Sequence, residues 1–153
     1  MANDDDLEAI RQLKYRYFRA LDLKDWDTLG ETLTEDATTA YDSGRYAFEG
    51  RAAILEFLRG ALGSRRMISM HHGHHPEIEL TGEGTARGTW YLEDKVYFLD
   101  ANTVLRGAAF YSDEYVKVAG AWKIRATGYE RTFEEIELRE APFSIRTRFD
   151  EAG

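Results

Sequence analysis

The second half of this chain is built from four long segments in which polar and hydrophobic residues alternate. Alternation with a period of two residues is typical of half-buried strands. Short turn sequences separate the segments, namely Gly82-Glu83-Gly84, Asp100-Ala101-Asn102 and Ala119-Gly120. Loops of this length join antiparallel strands as hairpins. The sequence therefore predicts an antiparallel run of four strands, over residues 67–80, 84–98, 103–118 and 121–133.

The first part of the chain has a helical pattern instead. Leu7, Ile10, Leu13, Tyr17 and Leu21 recur at steps of three and four residues, which predicts an amphipathic helix that follows the acidic start. A short second helix, a strand and a third helix are expected after it, over about residues 24–33, 37–41 and 53–62. Helices followed by a run of antiparallel strands is the order of an α+β fold.

The composition fits a single domain over residues 1–153. The chain is 43% hydrophobic and contains no repeat, low-complexity stretch or linker, so we expect one globular core. That core should cover about residues 5–135. The remaining segment, 136–153, leaves the sheet near Pro142 and is expected to act either as a lid or as a subunit contact.

Charge and residue content exclude several classes of function. The net charge of -8 and the pI near 5.0 argue against nucleic-acid binding, which needs a basic surface. The absence of cysteine excludes disulfides and thiolate metal sites. The acidic start lacks the hydrophobic segment of a signal peptide, and no apolar run is long enough to span a membrane. We therefore expect a soluble cytoplasmic protein with no nucleic-acid or membrane partner.

All four histidines lie between residues 71 and 75, at the first long strand. Such a cluster could bind a metal, transfer protons near neutral pH, or arise by chance. Side chains alternate along a strand, so His71 and His75 should face one side, and His72 and His74 the other. Four ligands cannot converge from opposite faces, so we expect no metal site. His75 would line the deeper part of a pocket or cap a backbone group.

Several stretches of the sequence together resemble the SnoaL-like branch of the nuclear transport factor 2-like superfamily. They are YFRALDLKDW at 17–26, GRAAI at 50–54 with MH at 70–71 and PEIE at 76–79, and AFYSDEY at 109–115 with GAWKI at 120–124 and GYER at 128–131. The resemblance implies a cone-shaped α+β barrel. In that fold, N-terminal helices pack on a strongly curved, mainly antiparallel sheet that encloses a pocket.

Within this superfamily, the chain resembles the scytalone dehydratase and bile acid 7α-dehydratase group, and is also similar to lindane dehydrochlorinase. That resemblance assigns Tyr17, Asp22 and His71 to catalysis. His71 would take a proton from a carbon next to a carbonyl, Asp22 would orient the imidazole, and Tyr17 would donate a hydrogen bond. On spacing alone, Asp22 could also be an ordinary helix-end residue beside Lys24. No histidine follows His75, so the second pocket histidine of scytalone dehydratase has no counterpart.

Further residues are candidates for contact with a substrate. The resemblance also implies a pocket position for Asp94, which shares a strand face with Trp90, a candidate for the pocket wall. A carboxylate among large apolar side chains is costly to bury unpaired, so Asp94 either titrates as part of the chemistry or pairs with an arginine, for which Arg125 and Arg131 are the candidates. A plain salt bridge at the edge of the sheet is the alternative. The predicted substrate contacts are Asp94, Trp90, His75, Arg131 and Tyr129.

These residues lead to three hypotheses of function. The first is a cofactor-independent, dehydratase-type lyase that uses His/Asp acid–base catalysis on a hydrophobic, cyclic, polyketide- or steroid-like hydroxy-ketone. The second is an isomerase or cyclase of the same fold, and the third is a non-catalytic module that binds a small ligand. An antiparallel sheet with an uncovered face also predicts a homo-oligomer. The dehydratases that the chain resembles are trimers, so a trimer is favoured over a dimer.

Overall fold

The computed structural model describes residues 4–150 and contains, in that range, three helices and six strands. The helices are α1 (Asp4–Leu23), α2 (Trp26–Glu31) and α3 (Arg51–Leu62), and the strands are β1 (Leu33–Tyr41), β2 (Tyr46–Glu49), β3 (Met67–Gly82), β4 (Thr85–Phe98), β5 (Thr103–Val118) and β6 (Ala121–Leu138). All four long strands were predicted, and β6 extends beyond its predicted end at residue 133. Strand β2 was not predicted, because its four residues are too few for a periodic pattern.

The six strands form one mixed sheet in the order β2-β1-β6-β5-β4-β3. Strands β3 to β6 pair as consecutive antiparallel hairpins, as the turn sequences predict. β1 pairs antiparallel with β2 and parallel with β6. Because β2 and β3 lie at the two edges, the sheet is not closed. The predicted α+β architecture, with helices packed on a mainly antiparallel sheet, is confirmed.

The core lies between α1 and one face of the sheet, which we call the inner face. Along β4, Trp90 and Leu92 are fully buried, whereas Tyr91 and Glu93 are exposed on the opposite, outer face. Ile10 and Leu13, on the apolar stripe of α1, belong to the same buried cluster as the β4 residues. The strand alternation and the helical stripe read from the sequence therefore meet in one core.

A β-bulge in β3 changes the face on which His75 lies. The pairing with β4 shifts register between His74 and Glu77, and His75 has a left-handed backbone with φ of 49°. The rings of His74 and His75 lie 5.9 Å apart, and both border a groove on the outer face together with Glu93. The prediction that His75 shares a face with His71 is therefore wrong, because strict alternation ends at the bulge.

The C-terminal tail, residues 139–150, crosses from the β4–β5 turn to the segment before β3. Asn102 holds its start by donating to the carbonyl of Ala141 at 3.0 Å. Arg65 holds its end by donating to the carbonyl of Phe149 at 2.8 Å. No residue of this described part of the tail lines the pocket presented below. Its role as a lid or as a subunit contact stays a prediction.

The outer face of the sheet carries exposed aromatic side chains. Tyr91 and Phe110 are 39% and 41% exposed, and their rings lie 4.4 Å apart. Exposed apolar surfaces are common at protein–protein contacts, and the homo-oligomer stays a prediction.

Within residues 4–150, none of the helices combines the length and the hydrophobicity needed to cross a membrane.

Gly73, two residues after His71, leaves room on the inner face for the ring of Phe18. A Cβ atom added at Gly73 would lie 2.5 Å from Cε2 of Phe18 and 3.1 Å from Cε3 of Trp90. Both rings are buried, so we expect Gly73→Ala to lower the free energy of unfolding by about 1–3 kcal/mol, as measured by urea denaturation. In the control variant Gly60→Ala, the added Cβ meets nothing within 4 Å, and the change should raise that free energy by up to about 1 kcal/mol. Equal effects of the two substitutions would contradict this packing.

Candidate active site

A pocket with a volume of about 300 Å³ opens between α1, α3 and the inner face of the sheet. Its apolar lining includes Leu21, Phe57, Leu58, Val96, Phe98 and Leu105, and its polar lining includes Tyr17, Tyr41, His71, Asp94, Tyr111, Tyr129 and Arg131. A larger groove, of about 560 Å³, lies on the outer face around His74 and His75. The inner pocket is the candidate active site because it contains the histidine–aspartate pair described next.

The structure brings His71 and Asp22 into direct contact. Nδ1 of His71 lies 2.7 Å from Oδ1 of Asp22, and the backbone N–H of His71 donates to Oδ2 at 2.8 Å. The hydroxyl of Ser69 donates to Oδ1 at 2.8 Å. These three contacts fix the orientation of the carboxylate. Ser69 was not predicted, although it lies two residues before His71 and therefore on the same strand face.

This geometry determines which nitrogen of His71 is free. A carboxylate only accepts hydrogen bonds, so Nδ1 must carry the proton that it donates to Asp22. In the neutral imidazole, Nε2 then keeps a free lone pair, and within residues 4–150 we find no hydrogen bond to it. His71 lines the pocket, so Nε2 can act as a general base towards a bound molecule while Asp22 stabilises the imidazolium.

Lys24 joins the end of α1 to two elements that border the pocket. It follows the last residue of α1 and has a left-handed backbone, with φ of 60°. Its ammonium group donates to the carbonyl of Leu62 at 2.5 Å and to that of Met67 at 2.8 Å, at the end of α3 and the start of β3. Asp22 lies two residues before Lys24, which is bound to the start of β3. Strand β3 also carries His71.

Tyrosine hydroxyls supply the hydrogen-bond donors of the pocket. The hydroxyls of Tyr17 and Tyr41 lie 2.6 Å apart, and the rings of Tyr111 and Tyr129 meet edge to face at 5.3 Å. Burial raises the pKa of Tyr17, Tyr41 and Tyr111 well above the ordinary value of 10.0. These hydroxyls therefore stay protonated and can donate to a substrate oxygen. Tyr17 and Tyr129 were predicted as site residues. Tyr41 and Tyr111 were not, because no sequence pattern distinguishes them from core tyrosines.

Asp94 is paired with Arg131, one of its two predicted partners. The guanidinium donates to both carboxylate oxygens, at 2.5 and 2.8 Å. Burial alone would lower the pKa of Arg131, but the hydrogen bonds and the charge of Asp94 outweigh that effect and raise it above its ordinary value. Arg125, the other candidate, donates to Glu114 instead. Asp94 lies opposite His71 in the β3–β4 register, so this ion pair forms the pocket wall beside the imidazole.

Two of the predicted substrate contacts lie outside the pocket. Trp90 is fully buried beneath α1, where its ring meets that of Tyr15 edge to face at 6.0 Å, and it is a core residue. His75 lies on the outer face because of the bulge. The apolar part of the pocket wall includes the leucine, valine and phenylalanine side chains named above. Within residues 4–150, no three histidine, aspartate or glutamate side chains converge as ligands for a metal ion.

Removing the guanidinium of Arg131 would leave Asp94 buried without a cation. Asp94 is 4% exposed and Arg131 is 12% exposed. We therefore expect Arg131→Met to lower the free energy of unfolding in urea by about 3 kcal/mol. In the control Arg125→Met, the lost pair with Glu114 is 54% and 56% exposed, and the loss should stay below about 1 kcal/mol. Adding Asp94→Asn to Arg131→Met should recover stability. Equal losses for the two arginine variants would refute a buried pair.

The raised pKa of Tyr17 has a consequence for stability at alkaline pH. A tyrosine that ionises at about pH 10 in the unfolded chain, but stays protonated when folded, stabilises the fold below that pH, and the contribution is lost as the pH rises. The free energy of unfolding should therefore fall above about pH 10. We expect Tyr17→Phe to make that slope shallower by about 1.4 kcal/mol per pH unit. Urea denaturation over a series of alkaline buffers measures both slopes, and equal slopes would show that folded Tyr17 also ionises there.

Comparison with known proteins identifies similar structures. One is a candidate scytalone dehydratase from Novosphingobium aromaticivorans, with 21% sequence identity, 92% of this chain and 89% of that chain covered, and a TM-score of 0.78. Another is the hexachlorocyclohexane dehydrochlorinase LinA-type3 from Novosphingobium barchaimii, with 18% identity, 93% and 96% coverage, and a TM-score of 0.80. A third is ActVI-ORFA from Streptomyces coelicolor, with 19% identity, 82% and 96% coverage, and a TM-score of 0.70.

At these identities the similar structures establish the fold, and they confirm the cone-shaped α+β architecture that the sequence predicts. The family model of the SnoaL-like domain matches residues 4–127, which is most of the chain. The protein therefore belongs to the SnoaL-like domain family.

Proposed function

We propose that this protein is a cofactor-independent lyase of the dehydratase type, acting on a hydrophobic cyclic hydroxy-ketone. The observation that carries the proposal is the 2.7 Å contact between Nδ1 of His71 and Asp22, which leaves Nε2 of a pocket-lining histidine available as a base. The similar structures include proteins named for dehydration and for dehydrochlorination. Both reactions remove a proton and a leaving group from neighbouring carbons, so they support the same type of chemistry here.

In the proposed reaction, Nε2 of His71 removes a proton from the carbon next to the substrate carbonyl. The electron pair of that C–H bond forms the new double bond, and the C–O bond to the neighbouring hydroxyl breaks. The imidazolium returns its proton to the departing oxygen, so one water molecule leaves and His71 is neutral again. Asp22 stabilises the imidazolium between these steps. One hydroxyl of the Tyr17–Tyr41 pair donates to the other, and the remaining O–H of the pair donates to the carbonyl oxygen, where negative charge develops.

The size and polarity of the pocket support a compact, neutral substrate. Its volume of about 300 Å³ is at the lower end of the range for ligand sites, roughly 300–1,000 Å³. The walls are largely apolar, and the charged lining residues pair with one another: Asp94 and Glu134 with Arg131, and Asp42 with Arg45. The small volume favours a small fused-ring ketone of the polyketide type over a larger steroid. The polarity of the walls favours a neutral molecule over a carboxylate or a phosphate.

An isomerase or cyclase of the same fold is the second candidate. The hydroxyl pair of Tyr17 and Tyr41 would stabilise an enolate in these reactions as well. His71 would then return the proton to a different carbon, or the enolate would attack a second carbonyl. Product analysis separates the candidates, because only the lyase reaction gives a product lighter than its substrate by one water molecule.

The proposal predicts that both His71 and Asp22 are needed for turnover. With a panel of bicyclic hydroxy-ketones, followed by enone absorbance and mass spectrometry, His71→Gln and Asp22→Asn should each lower kcat/KM by about 10²- to 10⁴-fold. The first variant removes the base. The second keeps the shape of the side chain but removes the charge that stabilises the imidazolium.

The matched control is His72→Gln, because His72 is the adjacent residue and lies on the outer face next to His74. It should retain the wild-type rate. Turnover that survives both His71→Gln and Asp22→Asn would overturn the acid–base mechanism. A product of unchanged mass would identify an isomerase or cyclase, and binding without turnover across the panel would identify a non-catalytic module.

A further inference from the structure

A fully buried ion pair lies behind the pocket, about two turns of α1 before Asp22. Nζ of Lys14 is 2.8 Å from Oδ2 of Asp113, and neither side chain is exposed to solvent. Asp113 also accepts hydrogen bonds from the hydroxyls of Tyr115, at 2.7 Å, and Thr127, at 2.6 Å. The carboxylate is therefore held by three donors, one each from α1, β5 and β6.

Stability alone does not explain this ion pair. Burial lowers the pKa of Lys14 below its ordinary value, and the charge and hydrogen bond of Asp113 only oppose that effect. Removing two charges from water is costly, and buried ion pairs are often replaced by hydrophobic residues without loss of stability. The role of the pair is therefore sought in its contacts with neighbouring side chains.

The ammonium group of Lys14 lies against three aromatic rings. Its Nζ is 3.7 Å from the ring centre of Tyr111, 4.6 Å from that of Tyr17 and 4.9 Å from that of Phe18. Tyr17 and Tyr111 also line the pocket. The ring of Phe18 stacks on the imidazole of His71, with ring centres 6.4 Å apart and an interplanar angle of 10°. One buried cation thus contacts both a proposed hydrogen-bond donor and the ring that supports the proposed base.

We propose that Lys14, held by Asp113, is a positioning residue for the active site, which fixes Tyr17 directly and His71 through Phe18. A cation is attracted to the faces of aromatic rings, so it selects one arrangement of the rings that a neutral side chain of similar length would not select. Lys14 itself touches no substrate. The assignment rests on the proposed function for the roles of Tyr17 and His71.

The test removes both charges, so that neither is left buried alone. In Lys14→Met/Asp113→Asn, circular dichroism and urea denaturation check the fold. Proton NMR of the imidazole of His71 reports its contact with the ring of Phe18, and fluorine NMR of fluorotyrosine-labelled protein reports the surroundings of Tyr17. We expect both resonances to shift in the folded double variant. We also expect kcat to fall by about ten- to hundred-fold with little change in KM, since small misplacements of reacting groups have effects of this size.

The matched control is Glu79→Gln/Arg87→Met, which neutralises an exposed ion pair with an N–O distance of 2.6 Å. It should leave both resonances at their wild-type positions. Unshifted His71 and Tyr17 resonances in the folded Lys14→Met/Asp113→Asn protein would overturn the proposal. Should that variant fail to fold, Lys14→Gln/Asp113→Asn serves in its place, because it removes both charges and keeps a hydrogen-bond donor at position 14 for the side-chain oxygen at position 113.

The NMR measurements separate this proposal from the proposed function because they need no substrate. Shifted resonances in the double variant, together with no turnover by the wild-type protein, would contradict the lyase while supporting the positioning role. Turnover by the wild-type protein, with normal kcat and unshifted resonances in the double variant, would support the lyase and overturn the positioning role of Lys14.

Discussion

The contact of Asp22 with β3 joins the helical part of the molecule to the sheet, and the pocket depends on it. Asp22 accepts hydrogen bonds from Ser69 and from both the ring and the backbone of His71. It can do so because α1 ends beside it, at Leu23, and the ammonium group of the following Lys24 binds carbonyls of α3 and β3. A displacement of α1 by a single residue would move the carboxylate by about 1.5 Å along the helix axis. Such a movement would break all three contacts, so the geometry of the proposed general base depends on the position of α1 against β3.

Along the same face of α1, polar groups are buried in pairs that are complete before a substrate arrives. Tyr17 meets Tyr41 one turn before Asp22, and Lys14 meets Asp113 about one turn further back. Because each of these groups already has a partner, the hydroxyls and charges around the pocket are held in one orientation. Donors that are oriented in advance stabilise a developing charge without reorganisation at the moment of reaction. This arrangement supports the catalytic role that we propose for the pocket.

The features that follow from local sequence patterns could be predicted from the sequence. Those that depend on where a buried side chain lies in the fold, or on one residue with an irregular backbone conformation, could not. Period-two alternation located the four long strands, and the cost of an unpaired buried carboxylate led to the salt bridge of Asp94. The face of Trp90 was also correct. Strand parity, however, does not say whether an inner-face residue lies under α1 or in the pocket, and Trp90 lies under α1. The bulge at His75 depends on a left-handed residue that nothing in its side chain signals, and β2 is too short to show a period.

The side chains of the pocket that can give or take a proton constrain the geometry of the reaction that we propose. His71 is the one lining residue whose side chain ordinarily exchanges protons near neutral pH. Tyr17 keeps its proton because burial raises its pKa, and Arg131 keeps its proton because Asp94 raises its pKa against the effect of burial. In the reaction that we propose, the same imidazole returns the proton taken from carbon, from the same side of the substrate ring. An elimination with the leaving hydroxyl on the opposite side would instead need a second acid, such as a protonated tyrosine or the carboxyl group of Asp42 or Glu134, which also line the pocket. The proposed return of the proton by His71 therefore implies that the removed hydrogen and the leaving group lie on one face of the ring.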